Sequence, residues 1–352
     1  MLKLKRIKVM NELKLNNMDS SNHLRIALPS DGALYESTID FMKSIDTSIE
    51  RASRRRYVGS LNNLKETIVL FQRASDIPLK IEDTTADIGI VGKDRFLESN
   101  NESKSVEMII EDLGYGKCEL VFAVPEQWID VTSLEDIAEL ALEFKQNGLE
   151  LTVVTKYPKL VQEALSKNGI QYITLVHSSG TLEAAPAIGS ADFIADLSET
   201  GTTLRENQLK LIEGGSILNS QACLIANIDS LKKNQLKLKS LKALLERIEA
   251  YIRAQSFVNI NTSIKLINES KLISAIIDSE LIRKEDITEG FNYSEKLKSI
   301  DVSIIIHKSN IVEMVDLLRS YNSTSITINK PVYLFTGKCE SYESLIKSMG
   351  VK

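Results

Sequence analysis

Short apolar runs alternate with amphipathic helical stretches along most of this chain, and that alternation restricts it to an α/β architecture. Residues 24–30 (LRIALPS) read as a strand ending in a Ser30-Asp31-Gly32 turn, and the helical pattern ALYESTIDFMKSI follows. YVGSL, TIVLFQR and 86–92 (ADIGIVG) repeat the strand signal, with a breaker at Asp76-Ile77-Pro78. Strands separated by helical patterns fit a largely parallel sheet, because each parallel crossover needs a returning segment. A second set begins at 118–125 (CELVFAVP) and continues through 149–155, 171–176 and 191–196. The helix KLVQEALSKNG between two of these strands stops at Gly169, and LRENQLKL reads as the helix after the last. Residues 217–227 (ILNSQACLIAN) read as a strand returning to the first set. This order predicts two α/β lobes joined by crossing strands, with a cleft between them.

The C-terminal part has a different rhythm. Residues 241–255 carry apolar side chains at 241, 244, 245, 248 and 252, an amphipathic helix pattern that links to a separate unit. There Val258, Ile260, Thr262 and Ile264 alternate with Asn259, Asn261 and Ser263. A helix over 269–280, a weak strand around Ile287 and the strand DVSIIIHKS come next. A helix with a capping-box-like start at Asn310 and Glu313 then leads to the strand SITIN. The βαββαβ order is the ferredoxin-like plan. The expected domains are a flexible N-terminal extension (1–22), lobe I (23–117, completed by 215–255), lobe II (118–214) and the C-terminal unit (256–352).

Charge and composition narrow the function classes. A net charge of −5 over 352 residues argues against a general nucleic-acid binder. No apolar run is long enough to span a bilayer, and the basic, polar first residues lack the apolar core of a secretory signal. Cys118, Cys223 and Cys339 have no metal-ligand spacing and make no disulfide framework, so a reducing cytoplasm fits. His23, His177 and His307 also have no metal or triad spacing and read as structural or surface residues.

The chemistry concentrates in residues 180–209. An apolar strand delivers Asp196 to its carboxyl end, and Ser198-Glu199-Thr200-Gly201-Thr202-Thr203 leads directly into a helix. Unpaired N–H groups at a helix start attract anions, and Gly201 permits close backbone approach. The threonine hydroxyls add donors, while Asp196, with Asp192, supplies acceptors for the hydroxyls of a ribose. Asp-x-x-x-Thr-Gly-x-Thr therefore suits a sugar phosphate. The bland alternative is an ordinary strand–turn–helix with a Thr-rich cap. No GxxxxGK[ST] loop is present, and Gly89 and Gly92 do not follow the dinucleotide fingerprint.

Residues 183–209 resemble the signature of ATP phosphoribosyltransferases. LRIALPSDGAL, FQRASDI, ADIGIVGKD, DLGYGKCEL, EAAPAIGSAD and EGGSILNSQACLIAN fall in that family's order, and the likeness runs from Leu24 through the C-terminal strands. It is closest to the long form, whose C-terminal regulatory domain binds histidine. The resemblance implies two periplasmic-binding-protein-like lobes forming a cleft, plus a ferredoxin-like regulatory domain. It also implies Mg²⁺ dependence and a homo-oligomer, a hexamer with the dimer as its unit. The implied reaction condenses ATP with phosphoribosyl pyrophosphate, giving phosphoribosyl-ATP and pyrophosphate, as the first step of histidine biosynthesis under feedback inhibition by histidine. Adenine N1 attacks ribose C1 through an oxocarbenium-like transition state, so the protein mainly positions reactants and stabilises departing charge.

Carried over residue by residue, Asp192, Asp196 and Arg73 are the implied catalytic groups. Thr200, Gly201, Thr202, Thr203 and Leu204 hold the 5′-phosphate, and Glu183 lies near the sugar or the metal. Arg54-Arg55-Arg56 is a further basic candidate for phosphates, or else a solvated surface run. Two positions depart from the family pattern. Asp31 and Ala33 replace a basic pair after the first strand, and Glu119 stands where a basic residue is common. A catalytically impaired two-lobed binding or regulatory subunit is the alternative these changes suggest.

Overall fold

The computed structural model describes residues 22–99, 105–178, 180–265, 269–282, 291–294, 299–323 and 325–350. The expected N-terminal extension lies outside them, apart from Asn22. Two compact units divide between Leu241 and Lys242, the first also taking Lys347–Lys352.

Two sheets build the first unit. In chain order the first contains β1 (Leu24–Pro29), β2 (Ile49–Glu50), β3 (Val58–Leu61), β4 (Thr67–Gln72), β5 (Ile88–Gly92) and β6 (Val106–Ile110). The second contains β7 (Cys118–Pro125), β8 (Leu151–Thr155), β9 (Ile173–His177), β10 (Phe193–Ser198) and β11 (Leu209–Ser220), after which β12 (Ala222–Asn227) rejoins the first. The seven-stranded sheet runs β2-β3-β4-β1-β5-β12-β6 and the five-stranded one β11-β7-β10-β8-β9. β1 is parallel to β4 and β5, and β8 to β9 and β10. Every other neighbouring pair in the two sheets is antiparallel, so the sheets are mixed and not largely parallel as the strand–helix alternation suggests. Every residue of β5 and β12 is shielded, as their near-continuous apolar sequences require, whereas β9 is partly exposed along its whole length. Helices α1 (Ala33–Ser44), α2 (Ile77–Glu82), α3 (Lys93–Ser99), α4 (Leu134–Gln146), α5 (Pro158–Lys167) and α6 (Thr202–Glu206) make the crossovers and flanks. Ser133 and Asp136 form a reciprocal capping box that starts α4.

Three further sequence expectations change. Residues 217–227 are not one strand: Ser220 pairs with Cys118 in the second sheet, whereas Ala222 pairs with Gly92 in the first. The chain switches sheets at Gln221, whose carbonyl accepts the Lys93 N–H at 2.9 Å. The helix after the phosphate-type loop is only α6, because Gln208 takes a left-handed φ of 57° and Leu209 already pairs with Pro125. The linker helix α8 (Gln235–Ala254), preceded by the short α7 (Ile228–Lys232), starts earlier than its apolar spacing suggests. Asn234 Oδ1 accepts the N–H groups of Leu236 and Lys237 and so sets that earlier start.

A buried charge cluster fastens the start of α8 to the first sheet. Asp87, immediately before β5, is fully shielded. Its Oδ1 accepts from Arg25 Nη2 at 2.7 Å, Lys237 Nζ at 2.9 Å and Ser230 Oγ at 3.0 Å. Its Oδ2 accepts from the Arg25 backbone N–H at 2.9 Å and from Nε at 3.1 Å. Burial pushes the Asp87 carboxyl upward, but the bonds from Arg25 and Lys237 outweigh it and hold the group below the usual carboxylate range.

The second unit carries β13 (Phe257–Lys265), α9 (Glu269–Asp278), β14 (Phe291–Ser294), β15 (Ser299–His307), α10 (Ile311–Ser320), β16 (Ile326–Asn329) and α11 (Glu340–Ser348). Its four-stranded antiparallel sheet runs β14-β15-β13-β16, the ferredoxin-like order. Register places Val258 opposite Ile306, Ile260 opposite Ile304 and Ile264 opposite Ile300. This apolar face packs with Leu272, Ile276, Met314 and Leu318 into one core. The expected strand around Ile287 lies outside the described residues; the strand observed there is β14. Asn310 sits at the N-cap of α10 without a capping bond, since its Nδ2 donates to the Leu281 carbonyl at 3.1 Å.

Removing Asp87 strands the buried Lys237 amine and the half-buried Arg25 guanidinium, so Asp87→Ala should lose about 3 kcal/mol of stability in urea unfolding at neutral pH. A depressed carboxyl stabilises the fold above its unfolded value of about 4 and loses that contribution as pH falls through the lower folded value. The gap between wild-type and Asp87→Asn melting temperatures should therefore be full at neutral pH and shrink only below about pH 4.

Candidate functional site

A cavity of 640 Å³ opens between the two lobes of the first unit. Lobe I supplies the turn Asp31–Ala33, the segment after β4 that begins at Arg73, and Asp94 and Arg95 from the first turn of α3. The crossing segment adds Lys117 and Cys118, and lobe II adds Tyr157, Leu197 and Glu199. Arginine and lysine thus line the lobe I side, whereas lobe II presents the approach to the Gly201 turn.

Asp94 joins the walls. It is 3% exposed, although it begins a helix beside an open cavity. Its Oδ1 accepts from Ser220 Oγ at 2.6 Å, its backbone N–H donates to the same oxygen at 3.0 Å, and Oδ2 accepts from Tyr157 Oη at 2.8 Å. Ser220 ends β11 and Tyr157 follows β8, so one carboxylate bonds lobe I to both the crossing strand and lobe II. Gly92 is required here: a Cβ on it would stand 2.3 Å from Asp94 Oδ1. Burial, with the Asp94 charge acting in the same direction, pushes the Tyr157 hydroxyl well above its ordinary value, so it remains a neutral donor. The cavity-facing Cys118 thiol is pushed up to about 11 by burial and by the charge of Asp94, which makes it a poor nucleophile at neutral pH.

On lobe II, Asp196 occupies β10 between β7 and β8. Its Oδ1 accepts the Leu197 N–H at 2.9 Å and its Oδ2 accepts from Lys156 Nζ at 3.1 Å. Each oxygen keeps acceptor capacity for a hydroxyl. Two residues beyond Asp196, Ser198 Oγ accepts the Gly201 N–H at 3.0 Å and closes the turn. Gly201 is left-handed at φ 71°, and no side chain caps α6, so the N–H groups of its first turn point outward unclaimed by the helix. Thr200 and Thr202 hydroxyls touch at 2.9 Å, and Arg205 reaches the Thr200 carbonyl at 3.4 Å. The short α6 adds little dipole; local N–H and hydroxyl donors are what the turn offers an anion.

The structure sorts the sequence-selected residues. Asp196 and the Thr200–Thr203 turn lie together, and Arg73 borders the same cavity as Leu197 and Glu199. Glu183 lies in a turn whose neighbours Leu182 and Ala185 pack with Leu204. Leu204 itself is buried in that cluster, so its side chain is a core group and only its backbone N–H can serve a ligand. Asp192 stands apart. It precedes β10 at the end remote from the turn, and its Oδ2 accepts from the Thr152 N–H at 2.7 Å and the Thr152 hydroxyl at 2.6 Å. That bond closes the start of the strand pair and accounts for an aspartate at this position without a sugar. Of the arginine run, Arg54 pairs with Glu36 at 3.0 Å and lies over the Tyr35 ring. Asp31 lines the cavity, placing a carboxylate where a basic pair is usual. Glu119 bonds to Ser216 Oγ.

Sequence reasoning passed over Asp94, Arg95, Lys117, Lys156 and Tyr157. The signal available was polar residues directly after apolar strands, as in IVG-Lys93-Asp94-Arg95 and VVT-Lys156-Tyr157. Their pairing across lobes is not local.

Two α/β lobes around a cleft bordered by Arg73, Arg95 and Lys117 define a two-lobed α/β class of fold. A family model described as HisG: ATP phosphoribosyltransferase matches residues 73–250. ATP phosphoribosyltransferase of Brucella anthropi is 41% identical over 204 residues, covering 57% of this chain and 88% of the relative. ATP phosphoribosyltransferase 1, chloroplastic, of Arabidopsis thaliana is 29% identical over 340 residues, covering 94% of this chain and 82% of the relative. The ATP phosphoribosyl transferase (HisG:HisZ) complex from Thermotoga maritima is a solved structure 23% identical to this chain, covering 64% of it and 96% of that chain, with a TM-score of 0.48. The chain belongs to the ATP phosphoribosyltransferase family and is a pentosyltransferase. Among the described residues, no helix is long and apolar enough to cross a membrane.

Gly201→Val keeps open space around the new Cβ but forces a β-branched residue to left-handed φ. The strain of about 1–2 kcal/mol should relax the turn. Binding of ribose 5-phosphate, read by calorimetry, should fall about tenfold or more with little change in melting temperature, as 1.4 kcal/mol corresponds to a factor of ten.

Proposed function

We propose that the chain condenses ATP with phosphoribosyl pyrophosphate to phosphoribosyl-ATP and pyrophosphate, the first step of histidine biosynthesis, in the cytoplasm. The observation that carries this reading is a single cleft lined by Arg73, Arg95 and Lys117 together with Leu197 and Glu199, which lie between Asp196 and Gly201 in the chain. In this reading the first-turn N–H groups of α6 and the hydroxyls of Thr200, Thr202 and Thr203 hold the 5′-phosphate. Asp196, oriented by Lys156 and by its neighbour's N–H, accepts from ribose hydroxyls. Adenine N1 forms the new bond to C1 while the C1–O bond breaks and its electron pair leaves on pyrophosphate. The cleft contributes alignment and charge stabilisation.

Among the described residues no three His, Cys, Asp or Glu groups cluster as a metal set. Asp31 and Glu199 border the cavity as separate carboxylates, and these residues do not form a resident Mg²⁺ site. In this reading Mg²⁺ enters with the substrate, carried on its diphosphate oxygens. The ferredoxin-like unit is assigned histidine as its inhibitory ligand, and the assembly a hexamer built from dimers; both follow from the long-form likeness. Asp31 on the cavity wall favours a second reading, an impaired binding subunit, because it opposes polyphosphate charge there.

Pyrophosphate release that requires both ATP and phosphoribosyl pyrophosphate, stops with chelator and slows in millimolar histidine supports the enzyme reading in full. Release that is absent from pure, folded protein that still binds ribose 5-phosphate would establish the binding-subunit reading. Activity indifferent to histidine would remove the regulatory assignment alone.

A further inference from the structure

We propose that Arg95 binds the pyrophosphate group on ribose C1, and that Tyr157 is the positioning residue that holds its guanidinium for this. The proposal rests on the reading that the Gly201 turn takes the 5′-phosphate and Asp196 the ribose. Arg95 belongs to the first turn of α3, and its side chain is 26% exposed, at the cavity wall. The guanidinium carbon lies 4.2 Å from the centre of the Tyr157 ring. One Nη1 contact reaches the Lys156 carbonyl at 3.4 Å, the long limit of a hydrogen bond, and Nε stands 3.8 Å from Asp94 Oδ2. Asp94 does not need this cation, because Ser220 and Tyr157 already donate to both its oxygens. Arg95 therefore presents a charged fork, held by a ring, with most of its donors open to the cavity. That is the arrangement suited to bidentate phosphate recognition.

The other cations are less suited. Lys156 is committed to Asp196 at 3.1 Å. The Lys117 side chain is 72% exposed and turned to Asp112 at 3.6 Å. Arg73 is exposed on the rim side of its segment. Placement selects the pyrophosphate over the ATP triphosphate. Lys156 bonds Asp196 through its amine and Arg95 through its carbonyl, so a single lysine separates Arg95 from the carboxylate assigned to the ribose. The Gly201 turn, assigned the 5′-phosphate, follows Asp196 in the chain. The anion beside Arg95 is then the substituent on C1, and the fork neutralises the charge that develops as the C1–O bond breaks.

The test compares Arg95→Met, Arg95→Lys, Tyr157→Phe and Tyr157→Leu with the wild-type chain, each checked by melting temperature. Calorimetry reads Mg²⁺-pyrophosphate and ribose 5-phosphate binding separately, and steady-state assays read KM for each substrate. Arg95→Met should weaken pyrophosphate at least about tenfold and raise KM for phosphoribosyl pyrophosphate, with ribose 5-phosphate affinity and KM for ATP within about twofold. Arg95→Lys should fall between, since a point charge lacks the fork. Tyr157→Phe, which keeps the ring but drops the bond to Asp94, should retain more pyrophosphate affinity than Tyr157→Leu, which should lose it as Arg95→Met does. The proposal is overturned if Arg95→Met leaves pyrophosphate binding unchanged while ribose 5-phosphate still binds, or if only KM for ATP rises. Equal loss in the two Tyr157 variants removes the ring's positioning role. Wild-type protein that binds neither probe refutes the site reading itself.

Discussion

A buried carboxylate between two lobes is costly, and Asp94 shows how this fold carries one. Taking a charge out of water costs several kcal/mol, and the cost is recovered only when good donors surround it. Here the donors come from separate parts of the chain: Ser220 at the end of the crossing strand and Tyr157 beyond β8. Pulling the lobes apart at this point would leave the carboxylate buried or half-hydrated with its donors gone. The lobes are therefore registered against each other by a charge, and the register sets the cleft. Gly92, the only residue type that leaves room for the Asp94 carboxyl at that distance, belongs to the same arrangement.

The same network extends to the chemistry. Tyr157 donates to Asp94 with its hydroxyl and offers its ring to Arg95. Its chain neighbour Lys156 pairs with Asp196, which precedes the Gly201 turn. From the interlobe bond to the Asp196 carboxylate the path is a run of direct contacts through the neighbours Tyr157 and Lys156. A transferase that works by alignment needs such stiffness, since small misplacements of reacting groups are costly. Asp87 plays a comparable part away from the cleft, where its bonds to Arg25 and Lys237 seat the start of α8 on the first sheet.

Much of this was legible in residue order. The α/β alternation, the ferredoxin-like βαββαβ unit and the Asp196–Gly201 turn are local patterns: apolar period, breaker and helix start. Leu204 and Asp192 show where local reading stops. Both fall inside the informative segment, yet Leu204 is turned into a core with Leu182 and Ala185, and Asp192 bonds Thr152 on the neighbouring strand. Which way a side chain faces at a strand start or a helix turn depends on what packs there, and for both the partners come from other elements. The misjudged single strand at 217–227 has the same origin. An apolar run shows that a segment is buried, and not that it changes sheets at Gln221.

By itself, then, the sequence determined the α/β class, the separate C-terminal unit, the turn at Gly201 and the family, because each is written in contiguous residues. Only the tertiary structure decided that Asp94, Ser220 and Tyr157 meet, that Arg95 lies against a ring at the cavity wall, and that Lys156 neutralises Asp196. Those contacts join residues 40 to 126 positions apart. Charges so far apart in the chain become partners only after packing has excluded water between them, and no local pattern encodes that.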